Sequence, residues 1–92
     1  MFSSTDIKAI KLLGGEIIMG YVTESFASKS VTISEAQLLV QQVVDGNMEV
    51  QLAPWLPYAR EYTFEISKSQ IVTMFNVRPN LETNYKLATG NK

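Results

Sequence analysis

The sequence predicts a small all-β domain whose strands bend strongly enough to close a barrel. Three observations carry this. Residues 16–25, "EIIMGYVTES", are apolar on both strand faces and hold Gly20 in their middle. "DGN" at 45–47 supplies the positive-φ residues of a tight hairpin turn. "MEVQL" and "EYTFEIS" alternate apolar and polar residues with the two-residue period of a strand. The 92 residues form one domain, with neither cysteine nor histidine. Disulfides and thiolate metal sites are therefore excluded, and the commonest general base and zinc ligand are missing. A domain of this size is near the limit at which one core outweighs chain entropy, so self-association is the support left to it.

Residues 7–13 read as a first strand or as the end of a short N-terminal helix, and Gly14-Gly15 turns the chain. In the second strand Ile17, Met19 and Tyr21 share one face and Ile18 and Val22 the other. Burial on both sides fits a curved barrel better than a half-wet sheet. A polar link, "FASKS", leads to a third strand with Val31 and Ile33 on one face. After the Asp45-Gly46 turn, Met48, Val50 and Leu52 share a face, and "APWLPYAR" interrupts the ladder with Pro54 and Pro57. Tyr62, Phe64 and Ile66 then point inward and Glu61, Thr63 and Glu65 outward. "SKSQ" turns into a last strand with Ile71, Thr73, Phe75 and Val77 on one face and Val72 and Met74 on the other. The core spans about residues 7–77, and residues 78–92, opened by Pro79 and closed by Gly90-Asn91, read as a peripheral tail on which Leu81, Tyr85 and Leu87 could dock. About five bent strands point to an SH3-like or an OB-like barrel.

The stretch from Leu12 to Ile33 resembles the first signature of Sm and Sm-like proteins, a family that includes the bacterial host-factor RNA chaperone. It has an apolar residue, a two-residue turn, Gly15, four residues, Gly20 and then an alternating strand. The resemblance implies that Gly20 lies where the long second strand bends to close a five-stranded Sm-like barrel. "ISKSQIVTM", residues 66–74, is similar to the host-factor second signature, with Lys68 at its lysine and Ile71 at its isoleucine. The Asp45-Gly46 hairpin and the Pro-Trp loop are inserted material, and "APWLPYA" looks like small Sm-like proteins of marine cyanophages. Aligned from Gly20, the family's Asp position holds Phe26 and its base-contacting Asn position holds Ser30, while Lys29 falls where a side chain stacks on a base.

What the resemblance implies is a homomeric ring of about five to seven subunits that binds single-stranded RNA, or DNA, without catalysis or cofactor. The site residues would be Lys29, Ser30, Lys68, Ser69 and Phe26, the lysines on phosphate and the serines on backbone or base edges. As ordinary turn residues they need no such role. Repetition around one axis turns a chain of net charge -1 into a concentrated positive annulus. Phe26 either stacks on a base or plugs the core. Trp55 and Tyr58 either bind a partner or pack over an open barrel end. Lys8 and Lys11 are candidates for an outer basic face. The last strand's free edge invites strand addition, with Phe64, Ile66, Ile71, Met74 and Phe75 at the ring interface.

Rival readings are a structural or protein-interaction ring, phage-associated, without nucleic acid, and a monomeric OB-like barrel. An enzyme reading has little behind it, because Glu61 and Glu65 have no third ligand, nucleophile or phosphate loop beside them. The N-terminus lacks the apolar core of a signal peptide and no run approaches the roughly 18 apolar residues of a membrane span. The expected location is the cytoplasm, that of the host if the protein is phage-encoded.

Overall fold

Six strands and one helix make up the computed structural model, which describes residues 4–24 and 27–89. The strands β1 (Ser4–Leu12), β2 (Ile17–Glu24), β3 (Ser30–Val44), β4 (Asn47–Pro54), β5 (Thr63–Ser67) and β6 (Ile71–Asn76) form one antiparallel sheet, and α1 (Pro79–Ala88) follows. The all-β expectation holds. Residues 7–12 are strand, and the helix stands at the C-terminal side of the sheet instead of the N-terminal side.

Glycine sets both tight turns. After β1 the Gly15 N–H donates to the Leu12 carbonyl at 2.9 Å, and Gly15 adopts φ 98°, closing a three-residue hairpin loop at 13–15. Asp45 and Gly46, at φ 52° and 80°, form the two-residue turn between β3 and β4 that the sequence announces.

β3 is 15 residues long and carries two partners along one edge. Its first part pairs with β5, from Ser30↔Ser67 to Ser34↔Thr63, and its second with β4, from Gln37↔Pro54 to Val44↔Asn47. β2 takes the other edge, and there the register jumps from Met19↔Gln37 to Tyr21↔Ser34. Two residues of β3, Glu35 and Ala36, thus face Gly20 alone, which is a β-bulge with Glu35 at φ 53°. A Cβ on Gly20 would lie 2.5 Å from the Ser34 carbonyl oxygen and 2.9 Å from Ile33 Cγ1. Gly20 therefore marks the place where two backbones press together at the bend.

The sheet is curled. Its order is β6-β1-β2-β3, with β5 on β3, so a flat arrangement would separate β5 and β6 by about 19 Å at roughly 4.8 Å per strand. They are joined by one short 3-10 turn, Lys68–Gln70, whose three residues cover only about 6 Å at 2.0 Å each. Ile66 of β5 and Ile71 and Met74 of β6 accordingly meet in one cluster with Ile10, Leu12, Ile18, Val22, Val31 and Ile33.

The outer face of β2 is buried too, by α1. Ala9, Met19 and Tyr85 are fully buried there, with Ile17, Tyr21, Leu39, Leu52, Val77 and Leu81 around them. Both predicted faces of β2 are thus occupied, one inside the curl and one beneath the helix. The expectation of a peripheral tail is corrected: Pro79 starts the helix, and Leu81 and Tyr85, one turn apart, dock on the sheet, whereas Leu87 is 68% exposed. Gly90 and Asn91 lie outside the described residues.

Two further expectations change. Tyr62 precedes β5 and is exposed; its carbonyl accepts the Glu35 N–H at 2.7 Å, which ties the loop to the bulge. In β6 a register shift between Thr73 and Ile71 leaves Val72 without a partner in the β1 ladder, so Ile71 and Met74 share the inner side against the predicted alternation. Beyond the body, residues 41–51 of the β3–β4 arm are exposed throughout. Among the described residues no helix is long and apolar enough to cross a membrane.

Candidate nucleic-acid interface

The tripeptide Ser-Lys-Ser occurs twice, at 28–30 and 67–69, and the fold stacks the two copies. In the first, Ser28 Oγ accepts the Ser30 N–H at 3.1 Å and lies 3.3 Å from Ser30 Oγ. In the second, Ser67 Oγ accepts the Ser69 N–H at 3.3 Å and lies 2.9 Å from Ser69 Oγ. Each is a serine-closed turn that fixes the lysine at its apex. The Lys68 N–H donates to the Lys29 carbonyl at 2.8 Å, joining the apices directly. A third loop joins this end of the sheet, because Leu13 N–H donates to the Gln70 carbonyl at 2.9 Å.

The backbones of the two turns that carry Lys29, Ser30, Lys68 and Ser69 are therefore adjacent. Lys29 is exposed and Lys68 half-buried. The sequence reading missed Ser28 and Ser67, although the repeated triplet was there to find. Phe26 lies outside the described residues.

Along the outer face of the β3–β5 pair the polar surface continues. Ser30, Thr32 and Ser34 stand opposite Ser67, Glu65 and Thr63, while Val31 and Ile33 point inward with Ile66 and Phe64. Ser34 and Thr63 hydroxyls are 2.9 Å apart. Ser30 Oγ donates to Glu65 Oε2 at 2.8 Å, so Ser30 is engaged by a carboxylate within its own chain. Glu65 thereby holds its negative charge against Ser30, the residue that follows Lys29. It does not pair with Glu61, which lies in the loop before β5. Among the described residues no three acidic, histidine or cysteine side chains gather as a metal site.

The other candidates separate. Trp55 packs against the inner cluster, edge-on to Phe64 at 5.8 Å, whereas Tyr58 is 98% exposed. Ile66 is buried, Phe64, Ile71 and Met74 are half-buried against the inner cluster, and Phe75 stays 40% exposed. Lys8 and Lys11, three apart on β1, alternate to opposite faces and form no single basic patch. No protein-family model matches the chain, and no curated protein matches it either.

Proposed function

We propose that this protein is an Sm-like barrel that assembles into a homomeric ring and binds single-stranded nucleic acid, RNA before DNA, without catalysis. The observation that carries the reading is the stacking of the two Ser-Lys-Ser turns, which sets the backbones of Lys29 and Lys68 side by side at one end of the sheet. Around an axis, that pair is repeated once per subunit and becomes a positive annulus. The curl of β6-β1-β2-β3-β5 and the close approach at Gly20 support the barrel, with the β3–β4 arm as the insertion.

Support for the ring comes from the edges. β5 and β6 each have a sheet partner on one side only, and Val72 and Phe75 are 53% and 40% exposed on the β6 side. Adding β6 of one copy to β5 of the next removes both edges.

The test is oligonucleotide binding as a function of salt. Wild type is expected to bind with a log–log slope set by the number of phosphates it neutralises, and Lys29→Ala and Lys68→Ala each to reduce that slope by about 0.7 per phosphate no longer neutralised. No binding of RNA or DNA at low salt refutes the nucleic-acid reading and leaves the ring as a protein-interaction module.

A further inference from the structure

On the proline-braced side of the molecule lies a cleft of about 330 Å³, within the size range of binding pockets. Trp55, Tyr62 and Phe64 supply aromatic walls, and Glu35 and Glu61 supply two carboxylates. Neither carboxylate forms an ion pair among the described residues, and Glu61 is exposed. Aromatic faces beside uncompensated negative charge suit a cation, and a planar guanidinium above all.

The chain holds a cation of that kind in the matching place. Arg78 follows β6, is exposed, caps α1 without a side-chain hydrogen bond and makes no ion pair among the described residues. It does not reach its own cleft along α1: Ala88 and Thr89 line the cleft at the helix C-terminus, about 15 Å along the axis of a ten-residue helix from Arg78. Strand addition supplies the encounter in trans. Every pairing in the sheet is antiparallel. A second copy's β6, added antiparallel to β5 in the register that sets Asn76 opposite Thr63, runs from Val72 to Asn76 alongside Ser67 to Thr63. Its next residues then pass Tyr62 and Glu61, about 4.8 Å away.

We propose that Arg78 of one copy enters the Trp55–Tyr62–Phe64 cleft of the next and is held there by Glu61 and Glu35, sealing each subunit contact beyond the strand pairing. The inference rests on the ring reading above. Knob and cleft are different patches of one chain, so the contact is heterologous and closes when the rotation permits. Arg60, beside Glu61, does not line the cleft, whose charged lining residues are Glu35 and Glu61.

Size exclusion with light scattering, over a dilution series, tests it on wild type, Arg78→Glu, Glu61→Arg and the double charge swap. Each single variant is expected to raise the concentration of half-dissociation about tenfold or more, and the double variant to restore most of it. Circular dichroism melts serve as the folding control, since both side chains are exposed. An assembled wild type that Arg78→Glu leaves intact, or single defects that the double variant does not relieve, overturns the Arg78 contact while the ring reading stands. A wild type that is monomeric at every concentration overturns both.

Discussion

Gly20→Ala is expected to destabilise the protein by about 2–3 kcal/mol, in the range for overpacking a filled site, and to lower its melting temperature by about 10–20 °C. The added methyl would sit 2.5 Å from the Ser34 carbonyl oxygen, a backbone atom, and 2.9 Å from Ile33 Cγ1. Neither yields cheaply, because Ile33 is fully buried and Ser34 is hydrogen-bonded into the β3–β5 pair beside the bulge. Relief requires β2 and β3 to part where the sheet bends. Gly14→Ala is the control: only the Glu16 carboxylate, at 3.7 Å, lies near its new methyl, so the change is expected to stay within about 0.5 kcal/mol. Thermal and urea melts of the two variants check the contrast. Equal effects would mean that the close approach at Gly20 is not what holds the bend.

The second large effect belongs to Tyr85. Its ring is fully buried beneath the sheet, edge-on to Tyr21 at 5.8 Å, and its hydroxyl donates to the Glu35 carbonyl at 2.7 Å, with the Ser34 carbonyl 3.5 Å away. One phenol thus both fills the second core and satisfies the bulge. Tyr85→Ala is expected to cost about 4 kcal/mol by the usual penalty for emptying an aromatic site, a large part of the stability of a small domain. Tyr85→Phe keeps the ring and removes the hydrogen bond, for about 1–2 kcal/mol.

The same site makes stability depend on alkaline pH. Burial first, then the negative charge of Glu35 and the neighbouring Tyr21, push the phenol far above its ordinary 10.0. A raised folded-state pKa favours the neutral form, so its contribution is complete below pH 10 and is lost as pH rises beyond it. Urea melts between about pH 8 and pH 11 should show wild type losing stability relative to Tyr85→Phe over the upper part of that range. A constant difference between the two would contradict a buried, neutral phenol.

Local chemistry was legible in the sequence, and non-local chemistry was not. Asp45-Gly46 announces its turn because the backbone requirement is satisfied by the two residues themselves. The doubly apolar β2 was readable from its own alternation, but what covers its outer face was not. α1 has only ten residues, too few to be stable alone, and its order comes from docking Leu81 and Tyr85 on residues far away in the chain. Pro79 at its start and the Leu81–Tyr85 spacing were the signals that pointed to it. The bulges were hidden for a different reason. Glu35 takes a conformation that favours glycine without being glycine, and Val72 breaks an alternation that looks regular on paper. At the candidate site, the lysines and the serines after them stood out, while the hydrogen bond from Lys68 to Lys29 depends on β3 and β5 lying side by side.

The central claim is that this small, weakly acidic chain acts as a ring that gathers Lys29 and Lys68 around one axis. Its most direct test is the absolute mass of the wild-type protein by light scattering at micromolar concentration. The account predicts a single species of about five to seven times the 10.3 kDa subunit mass. A single species at 10.3 kDa would contradict it.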